Sequence, residues 1–185
     1  MFGYARHWVG GFLERHWNDP AVRADVHQLE TEHAKEQSGD PARWQDDPAS
    51  VADYVYWLMD QDRKSTGLKS LQGKIWDEGY RSGELRGEVY PDVPVAFERW
   101  RRQELDIAIF SSGSVQAQRL LFHSTAAGDL TRFIRAYFDT TTGPKTTAES
   151  YARIAAALQR PPSEVLFVSD ITAELDAARS GGMQT

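Results

Sequence analysis

Ile107-Ala108-Ile109-Phe110-Ser111-Ser112-Gly113-Ser114 decides the fold: a short apolar run stops abruptly at a cluster of hydroxyls around a glycine. Val165-Leu166-Phe167-Val168-Ser169-Asp170 repeats the arrangement with a carboxylate at its end. Runs of this kind read as buried parallel strands that deliver polar side chains to the crevice at the carboxyl edge of a sheet. Lys145 lies between them in the loop Thr141-Thr142-Gly143-Pro144-Lys145-Thr146-Thr147. Serines, a lysine and an aspartate gathered at strand ends point to phosphate chemistry assisted by a metal ion.

Around these two strands the chain alternates. The pattern predicts a helix over 92–102, strand 106–110, helix 114–123, a short strand over 136–139, helix 147–158, strand 164–168 and helix 172–180. Such alternation is the signature of an α/β fold with helices covering a parallel sheet. Gly181-Gly182 closes the last helix, and the chain then stops at Met183-Gln184-Thr185, where another strand is expected to begin. Upstream, apolar residues recur at three and four, as in Val51, Tyr54, Val55, Leu58 and Met59, which is helical spacing. Breaks at Asn18-Asp19-Pro20, Ser38-Gly39-Asp40-Pro41 and Asp47-Pro48 divide that part into helices over 2–17, 20–37, 49–63 and 66–83. The expected organisation is an all-helical module over 1–87 and an α/β module over 88–185.

Composition narrows the function classes. The 185 residues suit one domain, or a core with a smaller insertion. The net charge of -6, with no block of basic residues, argues against a nucleic-acid partner. Cysteine is absent, so disulfides and thiolate metal sites are excluded, in keeping with a reducing cytoplasm. No apolar run approaches the roughly 20 residues of a membrane helix, and the first residues show no signal-peptide pattern. The expectation is a cytoplasmic monomer acting on a small phosphorylated molecule, without membrane or nucleic acid.

Each candidate site residue has two readings. Ser111, Ser112, Gly113 and Ser114 form either a phosphate-binding turn, with hydroxyls and amides aimed at one spot, or an ordinary capped strand-to-helix turn. Lys145 is either a solvated loop lysine or a countercharge for an anion. Asp170 and Glu174, one helical turn apart, either serve Mg²⁺ directly and through water, or form an N-cap and a first-turn acid facing the helix dipole. His7, His16, His27, His33 and His123 share no face with paired acids, so packing or surface roles are expected.

Spacing and order bring a family into view. Asp62-Arg63-Lys64-Ser65-Thr66-Gly67-Leu68-Lys69-Ser70-Leu71-Gln72-Gly73 resembles a cap segment of the enolase-phosphatases, or acireductone synthases. The resemblance continues, in order, through Phe110 to Ser124, Tyr137-Phe138-Asp139-Thr140, Gly143-Pro144-Lys145 and Phe167-Val168-Ser169-Asp170-Ile171-Thr172. It implies the haloacid dehalogenase (HAD) superfamily: a Rossmann-like parallel-sheet core with a helical cap inserted after the first strand. It implies further that Ser111 and Ser112 hold a phosphoryl oxygen, that Lys145 offsets charge on nucleophile and phosphate, and that Asp170 binds Mg²⁺ with Glu174 in support. The implied reaction is enolisation of 2,3-diketo-5-methylthiopentyl-1-phosphate and removal of phosphate to give acireductone in methionine salvage. Six tryptophans, five of them within the helical part, are expected to fill its core or to line an apolar wall for the methylthio group.

One part of the family pattern has no counterpart. Met1-Phe2-Gly3-Tyr4-Ala5-Arg6 already matches the start of the cap helix, whereas the family first carries an apolar strand and an Asp-x-Glu-Gly-Thr-Thr type loop. The implied nucleophilic aspartate is thus absent from this chain, with a strand and loop on the order of twenty to thirty residues. That strand lies centrally in the family's sheet, so the expectation is an inactive, poorly stable polypeptide from an active full gene product. The alternatives are another HAD-type phosphatase or a pseudoenzyme that only binds.

Overall fold

A computed structural model describes residues 2–37, 39–41 and 43–185. The chain divides into two compact units, Met1–Leu85 and Arg86–Thr185. Met1 of the cap-like start and Ser38 of the second predicted break lie outside the described residues.

The first unit is built from four helices: α1 (Phe2–His16), α2 (Pro20–Ala34), α3 (Pro48–Asp60) and α4 (Thr66–Ser82). Their starts follow from local chemistry. Asp19 accepts a hydrogen bond from the Ala21 amide ahead of Pro20, Asp47 accepts from Ser50 ahead of Pro48, and Ser65 accepts from Leu68. Gly83 closes α4 in the left-handed conformation with φ +79°. Helix α2 ends three residues before its predicted limit, because Lys35-Glu36-Gln37 offers nothing apolar to bury. The core comes from one stripe of each helix, with Val9, Leu13, Val22, Leu29, Val51, Val55, Leu71 and Ile75 essentially inaccessible. Of the five tryptophans here only Trp76 is buried; Trp8, Trp17, Trp44 and Trp57 are half-exposed, which corrects the expectation that they fill the core. The aliphatic stripes fill it instead, and the indoles lie over its edges, as where Trp57 stacks on Tyr54 with centroids 5.8 Å apart.

The second unit has an α/β order: α5 (Asp92–Arg102), β1 (Ile107–Phe110), α6 (Val115–His123), β2 (Ile134–Phe138), α7 (Ala148–Leu158) and α8 (Thr172–Ser180). β1 and β2 pair in parallel, joined by the α6 crossover. Alternation along β1 sends Ala108 and Phe110 toward α7 and α8, and Ile107 and Ile109 toward Phe97 of α5 and Leu130. The register slips once, Ile107 opposing Ile134 and Ala108 opposing Ala136, so Arg135 is the extra residue of a bulge. Its guanidinium bonds Asp106 just before β1, while Ile134 and Ala136 end on opposite faces.

The predicted strand 164–168 is the element that departs most from expectation. Residues 165–168 are extended but paired only through Leu166, which bridges Gln184 in parallel. Phe167 donates to the Gln184 carbonyl at 2.8 Å and Gln184 to the Val165 carbonyl at 2.9 Å, which makes one isolated bridge between the two segments. The segment is not buried on both faces: Val165 and Phe167 pack on the α7–α8 layer, whereas Leu166 is 63% and Val168 75% exposed. Its other edge has no strand beside it among the described residues, so no ladder forms there.

Candidate active site

The turn after β1 is held from beneath by side chains. The Ser111 amide donates to the Phe138 carbonyl at 3.1 Å, prolonging the ladder, and the Gly113 amide donates to Ser111 Oγ at 3.1 Å. Ser114 caps α6, accepting from the Ala117 amide at 3.2 Å. Asp139, at the end of β2, accepts from the Val115 amide at 3.0 Å and from the amide and hydroxyl of Thr141 at 2.9 and 2.6 Å. Buried Gln118 donates through Nε2 to the carbonyls of Gly113 and Phe138, both at 2.9 Å. The amides of Gly113, Val115 and Ala117 are thus engaged within the protein. What the turn offers outward is the exposed Ser112 and the hydroxyl proton of half-buried Ser111.

The loop carrying Lys145 is fixed as firmly. Gly143 has φ +143°, and a Cβ there would stand 2.3 Å from Ser150 Oγ, so only glycine fits. Ser150 Oγ donates to the Pro144 carbonyl at 2.7 Å, and the Tyr151 hydroxyl donates to the Lys145 carbonyl at 2.6 Å. Burial, reinforced by the nearby Glu174 charge, pushes the Tyr151 phenol up to about 12. Lys145 Nζ lies 2.7 Å from Glu174 Oε2 and 5.9 Å from the Phe110 ring centroid.

At the third strand end Ser169 donates to Glu174 at 2.9 Å and accepts from the Ile171 amide at 3.1 Å. The N-cap of α8 is Ile171, without a side-chain bond, so Asp170 is not a cap. Asp170 is exposed, and Glu174, only 8% accessible, is a first-turn acid of α8. The fold therefore gathers Lys145 and Glu174 into one ion pair beside the end of β1, with Asp170 at the exposed rim next to Ser169. Among the described residues no three metal-ligating side chains cluster. The donors nonetheless suit Mg²⁺, which takes one or two carboxylates and completes its shell with water and substrate phosphate.

Sequence reasoning left Asp139 and Gln118 without a role. Asp139 carried a readable signal, since it too is a polar residue closing an apolar strand. Gln118 carried none, because a glutamine on a short helix reads as surface.

Three comparisons bear on this geometry. A family profile for haloacid dehalogenase-like hydrolases matches residues 11–182. The enolase-phosphatase E1 of Synechococcus elongatus is 54% identical over all of this chain and 78% of its own length. That of Azotobacter vinelandii is 45% identical with the same coverage. Among solved structures, the UTR4 protein of Saccharomyces cerevisiae superposes with a TM-score of 0.79 at 33% identity, covering 99% of this chain and 78% of that one.

Proposed function

The chain belongs to the haloacid dehalogenase-like hydrolases and, among them, to the enolase-phosphatases, and from that premise we propose that it handles the phosphorylated methylthio diketone of methionine salvage. Ser111 and Ser112 take phosphoryl oxygens through their hydroxyls. Lys145 lends positive charge to the phosphate, a role suited to a compact ammonium on a flexible stem. Asp170 holds Mg²⁺, which when bound supplies electrostatic stabilisation of the phosphoryl group. Glu174 keeps the Lys145 ammonium at the strand ends while phosphate is away. The observation that carries the reading is the convergence of Lys145, Glu174 and Ser169 at the carboxyl ends of parallel segments, beside the Ser111 turn.

A non-catalytic reading of residues 1–185 has its own support. An attacking carboxylate is the one group the site still needs. Of the three at hand, Asp139 is bound by the Val115 amide and by the amide and hydroxyl of Thr141, Glu174 is bound by Lys145 and Ser169, and Asp170 is the metal-side acid. We therefore expect this chain with Mg²⁺ to bind the diketo phosphate without releasing inorganic phosphate. Calorimetry would read the binding and a colorimetric phosphate assay the release. Lys145→Met should weaken binding by roughly tenfold or more, the worth of a charge-assisted contact. Steady phosphate release would sink the non-catalytic reading. Equal affinity for unrelated phosphomonoesters would sink the substrate assignment.

A further inference from the structure

Arg101, Arg102 and Arg132 converge on one surface groove of the α/β unit. The groove, of about 450 Å³, is lined by these three arginines with Glu98 and Phe133. Arg101 and Arg102 belong to the last turn of α5, and Arg132 to a short 3-10 turn, Thr131–Phe133, just before β2. Packing fixes the two elements against each other: buried Phe97 of α5 meets the Phe133 ring at 6.4 Å between centroids, in a core shared with Leu130. The turn is held in its own right, since Asp129 accepts from the Thr131 amide at 2.8 Å and from the Thr131 hydroxyl.

Basic residues in a last helical turn ordinarily serve its free carbonyls and its dipole. In α5 the backbone closes the carbonyls itself. Glu104 takes the left-handed conformation with φ +59°, its amide donates to the Arg101 carbonyl at 3.0 Å, and the Leu105 amide donates to the Trp100 carbonyl at 2.9 Å. The dipole accounts in no way for Arg132, which comes from another element. Other arginines of this unit have acid partners: Arg135 and Arg160 share Asp106, and Arg179 pairs with Asp176. Among the described residues Arg101, Arg102 and Arg132 have neither an ion pair nor a side-chain hydrogen bond, although Glu98 lines the same groove. Arg132 lies over the Phe133 ring with 4.8 Å from guanidinium carbon to centroid, a contact through its flat face that orients it and leaves its N–H edges free.

We propose that this groove docks a short acidic segment of a partner protein, whose carboxylates pair with the three guanidiniums. The chemistry of the occupant follows from the lining. Every charged side chain of the groove is exposed, whereas a small-molecule site encloses about 70–90% of its ligand's surface. Three arginines in a chain of net charge -6 fall short of the basic stripe that a nucleic-acid backbone needs. A guanidinium fork matches a carboxylate through two parallel bonds, so three forks call for a stretch rich in Asp and Glu. The Debye length at physiological salt is about 8 Å, so a short segment senses these arginines more than the net charge of the chain. Docking here is independent of the phosphatase reading, since no residue of the groove belongs to the site of Ser111, Lys145 and Asp170.

The test titrates the full chain into a fluorescein-labelled peptide, Gly-Glu-Glu-Asp-Glu-Glu-Gly. Its polarisation should rise saturably with protein, and raising salt from about 50 to about 500 mM should weaken binding by about tenfold or more. Arg102→Gln and Arg132→Gln, both at exposed positions whose replacement leaves the core intact, should each weaken it about two- to fivefold, the worth of an exposed charge pair. Arg81→Gln removes the same charge from an exposed site on α4 and should leave binding unchanged. The absence of saturable binding overturns the proposal, as does an equal loss in Arg81→Gln, which would make the effect one of net charge. Tighter binding of a single-stranded oligonucleotide of matched charge overturns it in favour of nucleic acid. A dimer that forms without peptide and is broken by Arg132→Gln overturns it in favour of a second copy.

Discussion

Glu32 shows how one carboxylate can organise a helix junction. It receives the Ser65 hydroxyl, the Thr66 and Gly67 amides at 3.1 and 3.2 Å, and Gln28 at 2.8 Å, so one side chain on α2 closes the amino end of α4. Burial works against its charge, but the bonds from Gln28, Ser65 and the two amides outweigh it and hold its pKa below the ordinary carboxyl value. A lowered acid adds stability above its unfolded pKa and loses it as pH falls through the folded one. The helical unit should therefore lose stability as pH falls below the ordinary carboxyl value of 4.5 and through the lowered folded one. Glu32→Gln should start lower and flatten that dependence, as read by circular dichroism melts. An equal acid slope in the variant would show that the bonds to Glu32 add nothing. The residues around it were written in the sequence as a helix start, Ser65 ahead of Thr66, but its partner on another helix was not, because a contact across thirty-odd positions leaves no local pattern.

At the scale of elements, close approach decides what the helices tolerate. Gly67 in α4 lies so near α2 that a Cβ would stand 2.7 Å from Leu29 Cγ and 3.1 Å from the Leu29 amide nitrogen. Alanine gains about 1 kcal/mol of helix propensity over glycine, while overpacking costs typically about 1–3 kcal/mol. Gly67→Ala should thus be destabilising by on the order of 1 kcal/mol, whereas the same change at Gly3, with open space around it, should stabilise. Paired urea melts would check both signs. Element positions were largely legible: every predicted helix occurs, with Asp19-Pro20, Asp47-Pro48, Ser65, Gly83 and Ser114 marking ends, although α5, α7 and α8 begin without a side-chain cap. The strand predicted over 164–168 had the right composition, yet a ladder requires a neighbour, and only one of its edges has one.

For the whole molecule, stability is unevenly supplied. The helical unit closes its core with all four helices, whereas the α/β unit rests on a two-stranded sheet with an open edge beside it. The two paired strands have helices on both faces but no third strand along the free β1 edge, so the α/β unit should lose protection first in urea. Hydrogen exchange should show β1 amides exposed at lower urea than those of α4, and the reverse order would refute it.

The sequence by itself determined the division into helical and α/β parts, the parallel strand type, the place of Ser111 and Ser112 at the end of an apolar strand, and the loop position of Lys145. These depend on period, caps and short motifs, which act within a few residues. Tertiary structure alone decided that Glu174 is the partner of Lys145 and that Asp139 and Gln118 hold the serine turn. Those are pairings between segments far apart in the chain, and the energy that fixes them comes from burial and hydrogen bonds that exist only once the layers have packed.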